Sequence, residues 1–124
     1  MTPLPAFSDL RRVGEAVTLS LDLPGDSPAL DGHFPATPIL PAVAQVDWAI
    51  RFARENFPLP AHFNALRSLK FVRIVQPPVH LTLELAATAD GRGVTFTYAH
   101  GGAPCSSGRI EFSDDAARPD RSVL

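Results

Sequence analysis

The sequence predicts an α+β domain in which an antiparallel β-sheet wraps around one central α-helix. Three observations carry this prediction. Val17, Leu19, Leu21 and Leu23 alternate with Thr18, Ser20 and Asp22, the period of a half-buried strand. One later stretch opens at Pro41 and repeats Val43, Val46, Ile50, Ala53 and Phe57 at helical spacing. From Leu66 onward every apolar pattern is that of a strand. Neither a lone apolar helix nor a sheet can hide its apolar face by itself, so the sheet must cover the helix.

Taken in order, the strand at Val17 to Leu23 is the first expected element. The helix follows, because proline is tolerated at a first helical position where its missing N–H would be unpaired anyway; Pro58 and Pro60 end it. Between Leu40 and Ile50 the only charged side chain is Asp47. That pattern implies a front half of the helix buried nearly all round, where an ionised carboxylate needs a reason. Leu66 to Val75 reads as a strand with Arg67, Lys70 and Arg73 interleaved, stopped by Pro77-Pro78. A meander closes the domain. Val79, Leu81, Leu83 and Leu85 alternate, Asp90-Gly91-Arg92-Gly93 turns, Val94, Phe96 and Tyr98 alternate again, Gly101-Gly102 turns, and Ser106 to Ser113 returns. Asp114 to Leu124 is polar and aperiodic, and reads as a loose tail. Of the 13 prolines, those at 3 and 5, 24 and 28, 35 to 41, 58 and 60, and 77 and 78 cluster in joints, so they punctuate the fold.

With 124 residues the chain fits one domain, residues 1–124. A net charge of −2 gives no bulk reason to expect nucleic acid or an anionic membrane as partner. Met1 to Arg12 has neither the basic nor the apolar region of a secretory signal, and Cys105 is the only cysteine, so the expected location is the cytoplasm. Asp47 and Arg51 interrupt the longest apolar run, so no membrane insertion is expected. No metal spacing is visible and no cofactor is expected. Cys105 stands beside Ser106 and Ser107 without an adjacent base, which argues against nucleophilic catalysis. His62, His80 and His100 lack partner spacing and read as surface or strand filler.

The segment of residues 31–47 carries the chemistry. It places the titratable His33 in a loop stiffened by Pro35, Pro38 and Pro41, and Asp47 in the helix that follows. Gly32-His33-Phe34-Pro35, then Pro38-Ile39-Leu40-Pro41, then Asp47 resembles the signature of the 3-hydroxyacyl-acyl-carrier-protein dehydratases, which have the hot-dog fold. The order of elements, with Lys70-Phe71 on the strand after the helix, extends that resemblance over most of residues 10–113. Val43-Ala44-Gln45-Val46-Asp47-Trp48-Ala49 is most similar to the small dehydratase-like proteins of aryl-polyene pigment clusters.

The resemblance implies conversion of a 3-hydroxyacyl thioester to its trans-2-enoyl product, in fatty acid or polyene biosynthesis. His33 would be the base at Cα, and Asp47 would assist loss of the β-hydroxyl as water, the pair of titratable groups such chemistry needs. In the family the histidine and the carboxylate come from different subunits, so it implies a homodimer, or an oligomer of dimers, and an acyl carrier protein as partner. Leu40 and Pro41 can provide no side-chain cap, so the amides of Ala42 and Val43 stay free to receive the thioester oxygen. Phe34, Ile39 and Trp48 are candidates to line the acyl chain, with core packing the simpler use of each; Phe34 is kept as a binding candidate. Arg51, Arg54, Arg67, Lys70 and Arg73 could form a basic rim that steers an acidic carrier, or an ordinary solvated face.

Three positions depart from the family pattern. Ala42 replaces the usual glycine; the amide survives, but a methyl group narrows the room beside it. Arg51 replaces a glutamine, and at i, i+4 it can pair with Asp47 and favour the ionised form, which works against a proton-donor role more than against water activation. Pro77-Pro78-Val79 replaces a Pro-Gly-Asp turn. Aspartate at position 47 also occurs in the dehydratase–isomerase branch, which leaves isomerisation open. Two rival functions remain: a hot-dog thioesterase that would release free acid, and a catalytically weakened subunit that binds acyl chains within a heterodimer.

Overall fold

The computed structural model describes residues 4–25 and 39–114. His33, Phe34 and the tail from residue 115 lie outside them. The elements run β1 (Ala6–Val13), β2 (Ala16–Leu23), α1 (Ala42–Asn56), β3 (His62–Phe71), β4 (Val79–Ala87), β5 (Gly93–His100) and β6 (Ala103–Ser113). All strand pairings are antiparallel, in the order β1-β2-β4-β5-β6-β3. The sheet covers the helix as expected, with one strand more than the sequence pattern indicates.

Alternation sets the core. Val17, Leu19, Leu21 and Leu23 of β2 point inward beside Leu81, Leu83 and Leu85 of β4 and Val94, Phe96 and Tyr98 of β5, all buried. Against them the helix lays Ala44, Trp48, Ala49, Phe52 and Ala53. Removing a large apolar side chain of this kind from water is worth about 1.5–3 kcal/mol, so the sheet and the helix hold each other in place. Gly108 of β6 permits a close approach: a Cβ there would lie 2.5 Å from Leu69 and 2.8 Å from Phe96, so β3 packs its Leu69 where any other residue would collide.

Three sequence expectations need correction. Ala6–Val13 is a strand, although its residues do not alternate; every one of them is exposed. Phe7 still stacks edge-on against Phe52 at 5.3 Å, and Arg12 lies over the Phe57 ring and donates to the Asn56 carbonyl, so β1 closes the carboxyl half of the helix. The front half of α1 is not buried all round: Ala42 and Val43 are exposed, and Val43 is 80% so. Its inner face is buried by the sheet, and its outer face looks away from the core. Finally, β3 begins at His62 and ends at Phe71 rather than spanning Leu66 to Val75. The N–H groups of Val72 and Arg73 both turn to the Cys105 carbonyl, at 2.9 and 3.2 Å, which takes the chain out of the ladder.

Candidate active site at the amino end of the helix

The helix starts without a side-chain cap. Pro41 is the N-cap residue, with φ −65° and ψ 151°, and its ring offers no acceptor to the first turn. The Ala42 and Val43 amides therefore sit at an exposed helix end that carries a partial positive charge. Just before it, Leu40 is held twice: its N–H donates to the Val75 carbonyl at 2.9 Å, and its carbonyl accepts from Gln45 Nε2 at 3.2 Å. The Gln45 side chain is buried, and its Oε1 accepts from Ser106 Oγ at 2.7 Å. The Gln45 carbonyl accepts from the Tyr98 hydroxyl, also at 2.7 Å.

Asp47 follows in the second turn, partly exposed, with Arg51 Nη1 at 3.3 Å from its Oδ2. Such an i, i+4 pair is worth about 0.3–0.5 kcal/mol when exposed, so it adds little to the stability of the fold. The Asp47 charge also reaches Tyr98. Burial first, and that charge second, hold the phenol well above its usual value of 10.0.

Tyr98 is the only tyrosine in the chain, so its ionisation can be read directly. In the unfolded chain the phenol loses its proton near pH 10, whereas in the folded protein it keeps it. Above that pH the unfolded state binds fewer protons, so stability present below pH 10 falls as pH rises through the folded value. Tyr98→Phe is expected to lose about 1 kcal/mol near pH 8 with the hydrogen bond to Gln45. Between about pH 8 and pH 11 it should then lose less further stability than the parent protein, as urea denaturation would show. Parallel losses in the two proteins would contradict this assignment.

An apolar groove of about 270 Å³ opens beside the helix start, lined by Ala42, Val43, Val46, Leu66, Leu69 and Phe71. A second, of about 240 Å³, shares Phe71 and runs past Leu40, Gln45 and Ile74. Asp47, Ala42 and Val43 thus lie on the first two turns of one helix, with the grooves alongside. Phe34 and His33 lie outside the described residues. Trp48 is fully buried in the core. Of the basic residues, Arg51 is paired with Asp47, Arg67 with Glu111 at 2.7 Å, and Arg54 donates to the Pro60 and Ala61 carbonyls while lying over Phe112. Lys70 and Arg73 are exposed. Sequence reasoning passed over Gln45, Tyr98 and Ser106. The signal for the first was present, a glutamine within an otherwise apolar helix front.

A sequence model of the ApeI-like family, described as ApeI dehydratase, matches residues 10–109. Among solved structures, the dehydratase heterocomplex ApeI:P from Xenorhabdus doucetiae is similar with a TM-score of 0.75 and 26% identity, over 86% of this chain and 96% of that one. A protein from Erwinia carotovora subsp. atroseptica is similar with a TM-score of 0.67 and 30% identity, over 90% of this chain and 95% of that one. The dehydratase domain from the CurK module of curacin polyketide synthase, at 15% identity, matches 97% of this chain and 46% of its own with a TM-score of 0.63, a likeness of fold. The sheet around one helix is the hot-dog fold. No protein of curated function matches the chain.

Proposed function

The chain belongs to the ApeI-like dehydratase family, and we propose that it removes water from a 3-hydroxyacyl group carried by an acyl carrier protein, giving the trans-2-enoyl thioester. The observation that carries this reading is the uncapped start of α1, with Asp47 in its second turn and an apolar groove beside it. In the proposed reaction the His33 imidazole takes the α-proton, and the electrons of that C–H bond move toward the thioester carbonyl. Its oxygen gathers negative charge, which the Ala42 and Val43 N–H groups receive. As the electrons return, the Cβ–O bond breaks and the hydroxyl leaves as water with a proton from Asp47, whose carboxylate, ionised in the pair with Arg51, must first take up that proton. The groove takes the apolar acyl chain.

In this reading two copies form a homodimer, and each site combines His33 of one with Asp47 of the other. Phe63, Leu69 and Phe71 support such pairing, because β3 is an edge strand and these large apolar side chains on it are between 41% and 49% exposed. Lys70 and Arg73 remain as the basic contacts for an acidic carrier, and that attraction weakens with salt. A second reading draws on the ApeI:P heterocomplex together with Ala42 and Arg51: the chain would be one subunit of a mixed dimer, bound to acyl chains but weak in catalysis.

Incubation with a 3-hydroxyacyl chain on its carrier, followed by mass spectrometry, tests the proposal. Loss of one water supports it. Free acid would indicate a thioesterase, and an unchanged chain held by the protein would favour the mixed dimer. Arg51→Gln frees the Asp47 carboxylate from its ion pair and is expected to raise the dehydration rate a few-fold. A lower rate would mean that the arginine orients the carboxylate.

A further inference from the structure

We infer that Gln45 is a positioning residue, whose buried amide sets how the amino end of α1 presents the Ala42 and Val43 N–H groups. The inference rests on the proposed reading of that end as the receiver of the thioester oxygen.

A glutamine in the core is costly unless its amide is satisfied, and a leucine or methionine of similar size would fill the same space without that requirement. At Gln45 one side-chain bond reaches the helix start and the other orients the amide toward it. Ser106 of β6 donates to Oε1, which leaves the Nε2 end facing the Leu40 carbonyl. The opposite side of Leu40 is fixed by its N–H on Val75, in the chain leaving β3. Tyr98 of β5 holds the Gln45 backbone at the same turn. Both polar backbone groups of Leu40 are thereby anchored, one to the helix and one to the connection that follows β3. Pro41 then fixes the next φ, so little freedom is left to the two amides beyond it. Gln45 also borders the groove that passes Leu40 and Ile74, which shares Phe71 with the groove proposed for the acyl chain. A receiver of developing charge works only when held to within about half an ångström, which gives the amide its use.

Two variants test this. Gln45→Met keeps length and apolar bulk but loses both side-chain bonds. Ser106→Ala keeps Gln45 and removes the contact that orients its amide, and it carries the test if the first variant does not fold. In both, hydrogen exchange at the Leu40 amide is expected to speed up at least ~10-fold while exchange at Trp48 and Ala49 stays unchanged. With a 3-hydroxyacyl carrier substrate, kcat should fall about 10-fold and KM change less than about 2-fold. Ser106→Thr, which retains the hydroxyl, should recover both readouts. Uniformly faster exchange through the helix, or slower turnover matched by an equal rise in KM, would overturn the inference and leave Gln45 an ordinary core amide. If the parent protein releases no water from any substrate, the proposed function fails, and the exchange at Leu40 decides the role of Gln45 by itself.

Discussion

Replacing His33 with alanine is expected to lower the rate of the proposed water loss by ~10²-fold or more, without unfolding the protein or separating the proposed dimer. The α-proton of a thioester leaves only to a base within hydrogen-bond reach, and imidazole is the side chain whose ordinary ionisation suits that exchange near neutral pH. In the sequence the histidine is followed by Pro35, Pro38 and Pro41, each of which limits the backbone, and Leu40 has both of its backbone groups bonded. A base whose neighbouring backbone is restricted by proline loses less entropy in reaching its substrate. The alanine variant removes only the imidazole, so the loss should appear in kcat with substrate binding largely kept. A variant within a few-fold of the parent would remove His33 from the mechanism.

Asp47→Asn is expected to cost a similar ~10²-fold, because the amide has the shape of the carboxyl but no acidic proton to give to the departing hydroxyl. The substitution has a second readout that does not depend on activity. The Asp47 charge contributes to holding the Tyr98 phenol above its usual range, although burial is the larger cause. Asparagine should therefore bring the phenolate absorbance of this single tyrosine partway down in pH, without returning it to the ordinary value. Loss of activity with that shift would show a folded site stripped of one charge. An active Asp47→Asn enzyme would mean that the hydroxyl takes its proton from elsewhere.

Most of the fold could be read from the sequence because it rests on alternation. β2 buries one face completely and β4 and β5 bury the middle of theirs, and a buried face writes a period of two into the chain. β1 left no such record. Its residues are all exposed, its register against β2 shifts between Ser8 and Arg11, and Asp9 takes a φ of 54°, so no side of it is uniformly apolar. β3 has the same difficulty, with shifts between Phe63 and Ala65 and between Arg67 and Lys70. The burial of the helix front was misjudged for a related reason: Val43 is apolar but faces outward, and hydropathy does not distinguish a core contact from a surface that awaits a substrate or a second copy.

Of the candidate site, Asp47 and the bare helix start were legible from one charge in an apolar run and from Pro41. The bonds of Gln45 were not, since they join residues far apart in the chain, Tyr98 and Ser106, through the pairing of β5 and β6. The partners of Arg54 and Arg67, two local carbonyls and Glu111, were likewise not legible in the sequence.

The central claim is a site completed by His33 of one copy and Asp47 of another. Mixing the His33→Ala and Asp47→Asn proteins after mild unfolding and refolding tests it most directly. Random pairing gives mixed dimers in half the population, each with one intact site of two, so the account predicts recovery of about a quarter of the parent rate from two inactive proteins. No recovery, with mixed dimers present by native mass, would contradict the shared site.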